Sequence, residues 1–113
     1  MPNIFITNQN ADYDYADTQR YLNGGDLIFM TRGFVQVKGN EEALLRKFSV
    51  YFADASPEDY LLLSGPAILC ALATLAWSRK WDGATFLYNV HEKRDGKVVQ
   101  VYQPVYVAPE TVE

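Results

Sequence analysis

The sequence is poor in the residues that cross-link small proteins or hold metals. It has one cysteine and one histidine in 113 residues. Cys70 has no partner for an internal disulfide, and one Cys with one His makes no zinc cluster. Positive charge is also short. Ten Lys and Arg stand against fourteen Asp and Glu, a formal charge of −4 at pH 7. That acidity argues against a duplex-DNA binder driven by bulk charge. No Gly-x-x-x-x-Gly-Lys-Ser/Thr occurs, and no Gly-x-Gly-x-x-Gly. A standard P-loop NTPase or dinucleotide oxidoreductase is therefore not expected. The start, Met1 to Asn8, lacks a basic region, and its apolar run is too short for a secretory signal. Tyr60 to Trp77 carries no charge over 18 residues, but Ser64-Gly65-Pro66 interrupts it. It reads as strand, turn and buried helix rather than a membrane span. A soluble, cytoplasmic protein with no membrane partner is expected.

Hydrophobic residues make up 49% and charged residues 21%, an ordinary globular composition. One domain over 1–113 is expected, with 108–113 a frayed tail. The β-branched and aromatic runs at 3–7 and 26–30 read as strands. Between them lies a polar, tyrosine-rich loop. It holds a short helix at 15–22, capped by Asp14 and ended by Asn23-Gly24-Gly25. Weak alternation at 34–37 fits a short extra strand. Leu44, Leu45, Phe48, Tyr51 and Phe52 share one helical face, so 41–54 is a helix, capped by Asn40. The unalternating Tyr60-Leu61-Leu62-Leu63 suits a central strand buried on both faces. A nearly all-apolar helix follows, with Pro66 near its first turn and its end at Lys80. Runs at 84–91 and 98–107, joined through Asp95-Gly96, form a hairpin, and Pro104 puts its last strand at an edge. The order implies the α/β class: a small Rossmann-like sandwich, a mainly parallel sheet with a C-terminal antiparallel β-hairpin. The direction of strand 1 relative to strand 2 stays open, because the first crossover is short.

Ligands of open parallel sheets bind at the carboxyl ends of the strands. That rule gathers Asn8, Asp14, Arg20, Thr31, Arg32, Ser64 and Gly65 as candidate ligand-binding residues. Asn10, Asp12, His91, Lys93, Arg94 and Lys97 join them on the rim. Arg20, Arg32 and Ser64 are expected to converge near the start of the apolar helix, where free amides favour an anion such as phosphate. No catalytic residue, metal site or cofactor is assigned. The acidic run from Asp12 to Asp17 fails the EF-hand pattern, since Asp17 stands where glycine is needed. Tyr13, Tyr15 and Tyr21 suit packing of the loop better than base stacking. His91 has no identifiable partner for general-base work. Cys70 reads as an inert core thiol.

Thr7-Asn8, then Asp12-Tyr13-Asp14-Tyr15-Ala16-Asp17-x-x-Arg20, then Asp59-Tyr60-Leu61-Leu62-Leu63-Ser64-Gly65 and an apolar helix, form a signature. It resembles a group of short bacteriophage-encoded α/β proteins. Their first strand is Lys/Asn-rich, their loop is Asp-x-x-x-Ala-x-x-Arg-like, and a strand ends in Ser/Thr-Gly. The likeness spans roughly 3–80, and the C-terminal hairpin departs from it. The resemblance implies a viral origin and a small intracellular protein, and it implies no reaction. The function expected is non-catalytic binding of a nucleotide-like anionic ligand, or of a host protein, at the strand-end rim. The alternatives are a nucleotide- or phosphoester-processing enzyme using Asp14 or His91 as base, and a structural oligomeric subunit. The apolar helix and the edge strand point to a homodimer.

Overall fold

Three short hydrophobic triplets build the middle of the sheet. The computed structural model describes residues 2–109. In it β1 (Ile4–Ile6) is buried along its whole length, between β2 (Leu27–Phe29) and β3 (Tyr60–Leu62). With β4 (Ala84–Arg94) and β5 (Lys97–Val107) they form one five-stranded sheet of order β2-β1-β3-β4-β5. The pairs β1–β2, β1–β3 and β3–β4 are parallel, which settles the direction of the first two strands. The β4–β5 pair is antiparallel, so the sheet is mainly parallel with a terminal hairpin, a Rossmann-like architecture. β3 is the central strand. Pro104 does lie on an edge strand, where its missing N–H costs no ladder bond.

Alternation along each strand gives the two faces separate cores. Phe5 and Leu61 point to one face, under α2 (Glu41–Tyr51) and α3 (Ala67–Ser78). There Phe52 meets Phe5 and Trp77 edge-on, with ring centres 5.1 and 5.2 Å apart. Ile4, Ile6, Leu62, Leu87 and Tyr102 point to the other face. Its cover is thin: Tyr13, Tyr15, Tyr21 and Leu22, from the loop and from α1 (Gln19–Leu22). The loop tyrosines therefore serve as packing.

Several local expectations change. Residues 34–37 form no strand. Val35 and Val37 pack on the α2-side core while Gln36 is exposed, so the alternation marks burial against a helix and not a ladder. The first helix is shorter than 15–22, because a 3-10 turn (Ala16–Thr18) precedes it. Asp14 still serves this turn, its carboxylate accepting the Ala16 N–H at 3.0 Å. Asn40 caps α2 with its carbonyl, which accepts the Leu44 N–H at 2.9 Å, while its side-chain amide donates to the Gln36 carbonyl. α2 tightens into a 3-10 turn at Phe52–Asp54, and α3 stops at Ser78. Ala108 is buried, and 110–113 of the expected tail lie outside the described residues. Among the described residues no helix is long and apolar enough to cross a membrane.

Candidate functional site

The strand order reverses between β1 and β3, where a sheet of this kind opens its ligand crevice. Here that crevice is sewn shut. Ser64, on leaving β3, donates its hydroxyl to the Asn8 carbonyl. Asn8 is buried, and its amide donates to the Gly33 carbonyl at 3.0 Å. Thr31 is buried and donates to the Thr7 carbonyl at 2.6 Å. Gly65 turns with φ +95°, and a Cβ there would lie 2.7 Å from the Asn8 Cβ. Asn8, Thr31, Ser64 and Gly65 are thus together, as the sequence suggests. Their polar side chains are already committed to backbone.

Asp14 and Arg20 sit elsewhere. The Arg20 guanidinium donates to the Tyr102 carbonyl at 2.7 Å and pairs with Asp17 at 3.2 Å. Asp17 in turn accepts the Tyr102 N–H at 2.7 Å, and Asp14 takes the Gln100 side-chain oxygen on its backbone N–H. These bonds cap the outer edge of β5, while Arg32 leaves β2 at the opposite edge. Four strand spacings of about 4.8 Å separate the two edges. The expected convergence of Arg20 with Arg32 and Ser64 does not occur, because the β1–β2 crossover leans across the sheet onto β5.

The hairpin cations also leave the rim. β4 pairs with β3 only through Thr85 and Phe86 and then continues to Arg94. His91 is five residues beyond Phe86, about 17 Å along the strand. It is exposed opposite Gln100, on a projecting two-stranded arm with Lys93, Arg94 and Lys97. Cys70 is half-buried rather than in the core, its Sγ 3.6 Å from the Ser64 carbonyl, and burial raises its thiol pKa, which keeps it a poor nucleophile. Among the described residues no three His, Cys, Asp or Glu are grouped to hold a metal.

The side chains left unspent lie beside Arg32, and most of them escaped the sequence reading. Arg32, Phe34, Asn40, Ala43 and Lys47 line a hollow of about 430 Å³ between the loop after β2 and α2. It shares Ala43 and Lys47 with a second hollow of about 590 Å³, which adds Arg46, Val50 and Tyr51. Among the described residues no carboxylate lines either one. Among the described residues Arg32, Arg46 and Lys47 enter no ion pair. Phe34 is 89% exposed and Val50 is 70% exposed. Part of the signal was present: Ala43, Lys47 and Val50 recur at helical spacing beside the core face of α2, and Phe34 follows a glycine turn; Tyr51, expected on the core face, is exposed and lines the second hollow instead. Such a surface can clamp an anion and cover an apolar group beside it.

No curated protein and no solved structure matches the chain. Residues 2–107 match the family model described as Phage Pam3 gp32-like protein. The chain therefore belongs to this bacteriophage family, the phage Pam3 gp32-like proteins.

Proposed function

We propose that the protein is a non-catalytic binding module, working in the cytoplasm of the infected cell and holding a negatively charged partner on the Arg32 surface. One observation carries this reading. The polar groups in the strand-end crevice are buried and bonded to backbone, whereas Arg32, Arg46 and Lys47 line two joined hollows in which, among the described residues, no carboxylate stands. A nucleotide-like ligand and an acidic host-protein segment share the chemistry this surface accepts: anionic groups beside a flat or apolar one. Arg32 binds the anion as a two-pronged donor, and Phe34 packs the adjoining ring or side chain. Catalysis is disfavoured because the candidate bases, Asp14 and His91, both sit by β5 at the other edge.

The test is an NMR titration of the full chain with ATP and, separately, with a glutamate-rich peptide containing phenylalanine. One of the two is expected to shift Arg32, Phe34 and Lys47 saturably. Arg32→Ala is expected to weaken that binding roughly ten- to a hundredfold. Lys93→Ala, on the hairpin arm, is expected to leave it unchanged. Equal affinity for both variants, or no saturable shift with either probe, contradicts the reading.

A second reading has its own support. Ile68 and Leu75 on the outer flank of α3 are 56% and 57% exposed. Two copies meeting there would form the dimer that α3 suggests, and light scattering at micromolar concentration tests it. A monomer mass removes that reading.

A further inference from the structure

A third hollow continues the line along α2. It measures about 220 Å³, shares Arg46 with the second and adds Ser49 and Arg79. Arg32, Lys47, Arg46 and Arg79 therefore follow one another from the loop after β2, over α2, to the end of α3. All four are exposed, and among the described residues none enters an ion pair. Among the described residues Glu42 is the one carboxylate in the three linings, and it belongs to the third hollow. A mononucleotide gathers its charge on adjoining phosphates at one place. Four cations in file suit a partner that carries negative charge along its length. Apolar surface runs beside them. The α2 residues that line the first hollow centre near Ala43 and Leu44, and those of the second near Lys47. That is about four residues, or about 6 Å along the helix axis. Side chains at i and i+4 of a facing helix have the same spacing.

We propose, resting on the reading that the Arg32 surface holds the partner, that this partner is an acidic amphipathic helix of another protein. It sets two aliphatic side chains, one turn apart, into the two larger hollows and turns its carboxylates to Arg32, Lys47, Arg46 and Arg79. The charge fits, since the file of cations meets a file of anions. The walls fit as well. Between the Phe34 and Tyr51 rings, α2 offers Ala43, Val50 and the stems of Arg46 and Lys47, which bury methyl groups. A single-stranded nucleic acid meets the same cations, but it gains by stacking its bases on rings and leaves those aliphatic walls wet. A small ligand is enclosed by its pocket, whereas these hollows lie open along an exposed helix face.

The experiment titrates the ¹⁵N-labelled full chain with three probes: a glutamate-rich helical peptide bearing leucine at i and i+4, the same peptide bearing alanine at both, and a short oligothymidylate. The leucine peptide is expected to shift Phe34, Lys47 and Val50 saturably. The alanine peptide is expected to bind about ten- to a hundredfold more weakly, the loss of two buried aliphatic side chains. Val50→Glu puts a carboxylate into the second hollow from an exposed position, and is expected to weaken the leucine peptide by about tenfold or more with the urea midpoint kept. Equal affinity for the two peptides overturns the proposal, because charge alone then holds the partner. So does oligothymidylate or ATP binding at this surface with neither peptide bound, a result that leaves the cationic surface standing and changes only its partner. No saturable shift there with any of these probes removes both readings. These outcomes need only the unmodified protein, so they decide even where Val50→Glu fails to fold.

Discussion

Thr31 and Arg32 are neighbours in the chain and belong to different parts of the molecule. The Thr31 hydroxyl is buried and bonded to the Thr7 carbonyl, whereas the Arg32 guanidinium is in solvent, 5.3 Å from the Phe29 ring centre, beside Phe34 and Lys47. The same divide holds where β1, β2 and β3 end against α2. On one side, short side chains (Asn8, Thr31, Ser64) reach the backbone of the next strand and satisfy carbonyls that the ends of the ladder leave open. On the other, Arg32 and, from α2, Lys47 stand away from it. At these three strand ends the short side chains close the backbone, and Arg32 is left free of it.

The largest effects are expected from breaking the seam. Gly65→Ala adds a left-handed penalty and a clash with Asn8, and is expected to cost about 2–4 kcal/mol in urea unfolding. Gly33→Ala has φ +67° and open space around its new Cβ, so it isolates the backbone penalty alone, about 1–2 kcal/mol. Equal losses for the two would show that Gly65 and Asn8 do not press on each other. Ser64→Ala strands the buried Asn8 carbonyl and is expected to cost about 1–3 kcal/mol.

Next comes the strap over β5. Asp17, Arg20 and Tyr21 together engage the N–H and carbonyl of Tyr102, so the middle of this edge offers nothing to another strand. Asp17→Ala is expected to lower stability and to raise the mass seen by light scattering as the exposed edge pairs. A monomer throughout would mean that Pro104 and the remaining strap suffice. The same region gives a pH dependence. Burial pushes the Tyr102 phenol up from 10 to about 12. Above pH 10 the unfolded chain ionises this group while the fold keeps it neutral, so stability held below pH 10 is lost as pH climbs toward 12. Tyr102→Phe is expected to flatten that fall. An unchanged profile would assign it to Tyr13 and Tyr21, which burial also raises.

These bonds explain which parts of the molecule were legible. Strands and helices followed from period and β-branching, and the central place of Leu61-Leu62 from their lack of alternation. The signature residues were legible as a group and misleading as a site. Thr7, Asn8, Asp17, Arg20, Asp59, Ser64 and Gly65 all turn out to be seams. Asp59 shows the same pattern at the opposite end, its buried carboxylate accepting the N–H groups of Asn3 and Ser56 at 2.9 Å. Polarity at a strand end cannot distinguish a bond to a ligand from a bond to the next strand. Arg20 was misplaced because a crossover's lean over the sheet is set by tyrosine packing, not by a local pattern. Phe34 and Lys47 were missed because the strand-end rule does not look at the outer face of α2.

The smallest expected change in stability carries the most weight. Arg32→Ala and Ser64→Ala are compared in one experiment, each measured for urea stability and for affinity to whichever probe binds, ATP or the acidic peptide. Arg32→Ala is expected to stay within about 0.5 kcal/mol of the unmodified protein and lose binding, as exposed side chains outside the core do. Ser64→Ala is expected to lose stability while its folded fraction binds normally. The reverse result, Ser64→Ala losing affinity at full stability and Arg32→Ala keeping it, would place the site in the strand-end crevice and contradict the division proposed here.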